Sequence, residues 1–316
     1  MEIVTCFDHG FVMPTGVMMY SLCKNNTDTK INFHLLVDKT VTEEDKNNLR
    51  QTVSDFKGEC HFYSVDNCLF EGLPSGESRY NFTSAIYYRL LVAEILPKTI
   101  DKVLYLDGDL IVRQSLLPLW ETDISGFAVA AVYERPYQMS SSDYFDRLGY
   151  SPQLGYFNSG VMLINLDFWR RNQISREIFG FLNDCSKKLV LGDQDCLNFV
   201  LKENKLELPP KYNLQSNFLF VENFDKAQSE KVVMSAIENP VIVHFIGEKP
   251  WYKYVRDPHP YRSTFFKYQE ETRWGGQRVD RRPVKRKLIN AVADTMRFMK
   301  LKPALAPLYI NIKPID

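Results

Sequence analysis

The stretch VLYLDGDLIV, residues 103 to 112, constrains this chain more than any other. Apolar residues flank Asp107-Gly108-Asp109 on both sides, so two acids interrupt the pattern of a fully buried strand. A buried carboxylate without a partner is unstable, so these two need one. In an extended backbone, residues two apart project to the same side. Asp107 and Asp109 then converge on one point, and Gly108 keeps the backbone open between them. Converging carboxylates suit a hard divalent cation such as Mg²⁺ or Mn²⁺, which commonly bridges protein carboxylates to substrate phosphates. Asp-Gly is also a hairpin signal, so a plain turn is the competing reading, and the tripeptide alone does not choose.

Around this stretch, strand-like and helix-like segments alternate. EIVTCF (2–7), INFHLLVD (31–38), CHFYSVD (60–66), FAVAAV (127–132), GVMLINL (160–166) and PVIVHF (240–245) read as further strands. Thr42-Glu43-Glu44-Asp45 resembles a capping box that opens a helix with Leu49, Val53 and Phe56 at helical spacing. SAIYYRLLVAEIL (84–96) reads as a helix with Ser84 as N-cap and Pro97 as its stop; 175–186 and 193–204 read as amphipathic helices. Such alternation predicts an α/β fold with a mainly parallel sheet. Ligands of open α/β sheets collect at the carboxyl ends of strands. Asp8 follows the first strand, Asp107 and Asp109 close a central one, and His244 ends the last. His244 alone would be an ordinary core histidine, but HFIGEKPW (244–251) adds Gly247 for close backbone approach and Lys249 for phosphate charge.

Composition sets the bounds. With 316 residues, 45% hydrophobic and 13% aromatic, the chain can bury a substantial core. It carries no apolar run near the ~20 residues that span a bilayer, and Glu2-Ile3-Val4 is not a basic leader, so a cytoplasmic protein is expected. Six cysteines without a CxxC pair fit reduced thiols there. The zero net charge hides an asymmetry: after Thr272 there are 11 basic and 3 acidic residues, net +8, which leaves −8 for the rest. Within that tail, Leu288, Val292, Met296 and Met299 follow helical spacing among Lys and Arg. A basic amphipathic helix of this kind suits an anionic membrane surface, making peripheral attachment at the inner face an expectation, against docking on the chain's own body. Nucleic acid is a poor fit, because no recognition module accompanies the charge.

Five blocks now carry a resemblance: YYRLL (87–91), LPKTIDKVLYLDGDLIV (96–112), YFNSGVMLINLDFWR (156–170), GDQDCLN (192–198) and HFIGEKPW (244–251). Their order and spacing, over residues 2 to about 252, resemble glycosyltransferase family 8, the retaining, metal-dependent transferases that include bacterial lipopolysaccharide galactosyl- and glucosyltransferases and glycogenin. The resemblance implies a GT-A catalytic domain over 1–270, with 271–316 as a basic helical tail. It implies Mn²⁺ (or Mg²⁺) on Asp107, Asp109 and His244, and a UDP-sugar, UDP-galactose or UDP-glucose, as donor. Asp8 resembles the uridine contact, Arg89 an arginine near sugar and diphosphate, and Asn158 and Ser159 the pair beside the donor sugar. Asp193 and Gln194 resemble residues at the sugar hydroxyls and anomeric carbon, and Gly247 and Lys249 the diphosphate contacts. Gly10 departs from members with Asn at that place, removing one side-chain contact to the nucleotide.

Each residue also has a plain structural reading. Asn158-Ser159-Gly160 fits a turn, and Asp193 fits an N-cap with Gln194 in the first turn. The expected activity is hexose transfer to a glycan or glycolipid hydroxyl in lipopolysaccharide or other polysaccharide synthesis. Gln194 is a poor nucleophile for a double displacement, which favours same-face substitution through an ion pair, with Gln194, Asp193 and Asp109 as catalytic candidates. The alternatives are self-glucosylation on one of 17 tyrosines, UDP-sugar binding without turnover, and glycoside hydrolysis. Segment 133–157 reads as a lid or acceptor loop.

Overall fold

The computed structural model describes residues 1–71, 73, 83–135, 143–185, 189–228, 230–255, 258–280 and 307–312. Strands β1 (Glu2–Phe7), β2 (Asn32–Val37), β3 (Glu59–Ser64), β4 (Lys102–Leu106), β6 (Val129–Tyr133), β7 (Phe157–Asn165) and β8 (Lys205–Glu207) form one sheet in the order β3-β2-β1-β4-β7-β6-β8. Strands β5 (Leu110–Val112), β9 (Leu214–Gln215) and β10 (Ile242–His244) form a second sheet in the order β5-β10-β9. Among the described strands of the large sheet, β7 alone runs against the others, antiparallel to both β4 and β6. The sheet is therefore mixed and mainly parallel.

Alternation along the strands divides the core between two faces. Ile3, Phe7, Leu104, Leu106, Val161 and Leu163 join the helices Val12–Lys24 and Glu43–Ser54 and the small sheet. Val4, Val103, Tyr105, Met162 and Ile164 face the other way, toward the layer that contains Ile174–Cys185 and Asp193–Val200. Burying both faces is why these strands read as continuous apolar runs. The capping box is formed: Thr42 Oγ1 accepts from Asp45 N at 3.1 Å, and Asp45 Oδ2 accepts from Thr42 N at 2.9 Å.

Three local expectations are corrected. The run 103–112 is two strands in two sheets, since the backbone turns at Asp107-Gly108-Asp109. The segment 84–96 is a 3₁₀ helix (Ser84–Leu91) followed by a short α-helix (Val92–Ile95), and Thr83, not Ser84, holds the N-cap position, without a side-chain bond. The helix expected over 193–204 ends at Val200.

Of the expected tail, residues 271–280 and 307–312 lie against the body. Glu271 pairs with Lys24 at 2.5 Å, Trp274 fills the notch beside Gly16, Val279 bridges to Tyr252, and Tyr309 bridges to Phe220. The basic amphipathic helix expected within 285–302 lies outside the described residues, as does 136–142 of the expected acceptor loop. No helix among the described residues is long and apolar enough to cross a membrane.

Candidate functional site

The turn at Asp107-Gly108-Asp109 carries the chain from one sheet to the other, and that is what turns both acids toward one place. β10 pairs antiparallel with β5, His244 opposite Leu110, and Phe245 N donates to Asp109 O at 2.9 Å. His244 Nε2 thereby comes 3.2 Å from Asp109 Oδ1 and 3.7 Å from Asp107 Oδ2. One donor atom from each of Asp107, Asp109 and His244 lies within 4.8 Å of the others. Two glycines make the room. A Cβ on Gly160 would stand 2.2 Å from His244 Cε1 and 2.7 Å from Asp107 Oδ2, and one on Gly108 2.4 Å from Thr15 Oγ1. Two carboxylates and an imidazole whose donor atoms converge in this way fit a divalent cation such as Mn²⁺ or Mg²⁺. Lys249 Nζ reaches Asp109 Oδ2 at 2.5 Å and Phe245 O at 2.7 Å. Burial pushes the Asp109 carboxyl up, but Lys249 and His244 outweigh it and hold it below the usual carboxylate range.

The reversed direction of β7 builds the other end. Its first residues lie beside the last of β4, and Asp107 N donates to Gly160 O at 2.8 Å. Asn158 and Ser159 are therefore buried strand residues, not a turn. Gly192 holds the N-cap position of Asp193–Val200, so Asp193 is not the cap. Its carboxylate meets Arg89 Nε at 3.1 Å and accepts from Ser159 Oγ at 3.3 Å. Arg89 also reaches Asp107 Oδ1 at 2.9 Å and donates to Ser159 O at 3.0 Å, so one guanidinium joins the two ends. Tyr105 lies under it and donates to Asp107 Oδ1 at 2.7 Å. Gln194 Oε1 accepts from Ser159 N at 3.0 Å and Asn158 Nδ2 at 3.2 Å, while its Nε2 donates to Glu134 Oε1 at 3.1 Å.

Burial dominates here. It raises Asp193 to about 6, against the opposing pull of Arg89. It raises Glu134 to about 7, although Gln194 and Asn158 donate to it.

A cavity of about 420 Å³ joins the two ends, and every candidate metal-ligating, catalytic or donor-binding residue read from the sequence lines it. Asp8 lies on its wall with Oδ1 accepting from Gly10 N at 2.8 Å, and Gly247 lies there with φ +82°. Sequence reasoning missed Glu134, Asn213 and Gly160. Glu134 follows an apolar run, the same address as Asp8, and a bulge between Ala131 and Tyr133 precedes it. Asn213, beside His244, has no comparable signal in the sequence.

Residues 2–254 match the glycosyl transferase family 8. General stress protein A of Bacillus subtilis is 31% identical over 87% of this chain and 94% of its own length. The lipopolysaccharide glucosyltransferase WaaO of Escherichia coli is 27% identical over 87% of this chain and 79% of its own. Among solved structures, the galactosyltransferase LgtC, in complex with donor and acceptor sugar analogues, superposes with a TM-score of 0.75. It is 25% identical, covering 91% of this chain and 99% of that one.

Proposed function

This chain belongs to glycosyltransferase family 8, and from that premise we propose that it is a metal-dependent, retaining hexosyltransferase. In this reading it moves galactose or glucose from a UDP-sugar to a hydroxyl of a glycan acceptor of the cell envelope. The observation that carries the reading is the convergence of Asp107, Asp109 and His244 at one end of a cavity whose other end holds Asp193 and Gln194. Relatives named as lipopolysaccharide glucosyltransferase and 1,3-galactosyltransferase support the donor and acceptor classes.

A divalent ion held by Asp107, Asp109 and His244 supplies positive charge against a leaving diphosphate. The protein's own groups do the rest. Lys249, held on Asp109 and Phe245 O, adds a cation at that end. Arg89 holds Asp107 and Asp193 in fixed relation, so the metal end and the sugar end keep their spacing. Asp193 and Ser159 present oxygens to sugar hydroxyls. Gln194 Oε1 already accepts from Ser159 N and Asn158 Nδ2, which occupies both of its lone pairs and leaves none for attack. This supports same-face substitution over a covalent intermediate on Gln194. The basic stretch of 285–302 supports contact with anionic lipid bearing the acceptor, on charge alone.

The deciding experiment is UDP release from a panel of UDP-sugars, with Mn²⁺ and with chelator, followed by NMR of the product anomer. Metal-dependent release from one hexose donor with the anomer retained is expected. Metal-independent release, or an inverted product, overturns the reading.

A further inference from the structure

Two backbone amides of β7 determine the direction of a hydrogen-bonded chain that runs the length of the site. A backbone N–H can only donate. Gly160 N donates to Asn158 Oδ1 at 3.0 Å, so that atom of Asn158 is the oxygen. The atom of Asn213 that meets it at 2.9 Å must then be the amide nitrogen, which turns Asn213 Oδ1 toward His244 Nδ1 at 3.0 Å. An oxygen there requires the proton on Nδ1, and Nε2 is the nitrogen that faces Asp107 and Asp109. In the other direction, Ser159 N donates to Gln194 Oε1, which fixes that amide too. Asn158 Nδ2 then donates to Gln194 Oε1, and Gln194 Nε2 to Glu134 Oε1.

We propose that Asn213 is a positioning residue that holds His244 in its Nδ1-protonated form and, through Asn158, orients the amide of Gln194. The chain reads His244 to Asn213 to Asn158 to Gln194 to Glu134, with every donor facing the same way and the Glu134 carboxyl group at the end. Asn213 and Asn158 are buried, so neither amide can exchange these partners for bulk water. Bonds aligned in this way polarise one another, which makes the imidazole a better ligand and stiffens Gln194. This rests on the metal reading above, and its test separates the two.

The first measurement is made on the wild-type chain without metal, by long-range ¹H–¹⁵N correlation with ¹⁵N-labelled histidine, His244 being identified by its loss in His244→Gln. A proton on Nδ1 is expected, whether or not Nε2 also carries one beside Asp109; an Nδ1 without a proton overturns the proposal whether or not metal binds. The second is Mn²⁺ affinity by paramagnetic resonance. Asn213→Ala is expected to weaken it about 10–100-fold with the fold retained by circular dichroism. Asn213→Asp keeps an acceptor on Nδ1 but loses the donor to Asn158. It is expected to keep Mn²⁺ affinity within about threefold while kcat falls about tenfold or more. A folded Asn213→Ala chain with wild-type affinity overturns the proposal, and if that variant does not fold, the wild-type tautomer decides. Absence of Mn²⁺ binding by the wild type would instead overturn the metal reading.

Discussion

The two ends of the cavity treat charge in opposite ways. At the end proposed for the metal, Asp109 is buried yet held ionised, because Lys249 and His244 stand against it. At the end proposed for the sugar, Asp193 is pushed up to about 6 and Glu134 to about 7, because burial there outweighs the donors that face them. Both ends lie in one pocket and draw on the same residue types. What differs is the number of full cations nearby: Lys249 and Arg89 both reach the first, whereas Arg89 alone reaches the second and hydroxyl and amide groups supply the remaining contacts. In the proposed reading, an end that holds a cation and a diphosphate keeps its acids charged, and an end that holds a neutral sugar benefits from acids that are close to neutral and can donate as well as accept.

The contrast is broken most severely at Asp109. Asp109→Ala removes one metal donor and the partner of Lys249, and metal-dependent turnover is expected to fall below detection while the protein stays folded. UDP release by the purified variant at the wild-type rate would refute the metal end. Arg89→Met comes next, since it strips the bridge from both ends and leaves the buried Asp193 and the half-buried Asp107 without their shared cation. A loss of about 3–5 kcal/mol in urea unfolding and a large fall in kcat are expected, with Arg89→Lys restoring only part, because one ammonium does not match the fork that meets Asp107 and Asp193. An Arg89→Lys chain with wild-type stability and kcat would show that the bridge is incidental.

Glu134→Gln sharpens the comparison with the smallest effect. Below about pH 4.5 the Glu134 carboxyl is protonated in folded and unfolded chains alike. Between there and pH 7 the unfolded chain ionises while the folded chain keeps its proton, so this group's contribution to stability falls as pH rises and levels off above 7. The Tm of Glu134→Gln should therefore gain on the wild type between pH 5 and 8, by the equivalent of about 1–3 kcal/mol, with no such gain at lower pH. A Tm difference that ignores pH would mean that burial does not hold that proton.

Much of the site was legible because its residues break a pattern. Asp107 and Asp109 interrupt an apolar run, and Asp8 and His244 end theirs, so each declares itself against a background that leaves no place for charge. The five family blocks then placed Arg89, Asn158, Ser159, Asp193, Gln194, Gly247 and Lys249 in one set, and all of them line the cavity. Gly160 was named only as part of a turn reading; its need appears when His244 and Asp107 are seen to close over it. Asn213 sits in an ordinary polar context, and nothing local marks it.

The sequence by itself determined the alternation of strands and helices, the division of the core between two faces, and the chemistry available at the strand ends, because burial and periodicity act on neighbours along the chain. It did not determine how the two acids meet. The pleat of one long strand would have aligned them, but the chain turns instead and changes sheets, and β10 arrives from more than 130 residues away to bring His244 opposite Leu110. Nor did it determine that β7 runs against its neighbours and lays Asn158, Ser159 and Gly160 beside Asp107. Those pairings depend on which backbone edges find each other in space. The direction of every amide in the site follows from them, because the β7 N–H groups donate wherever that strand is placed.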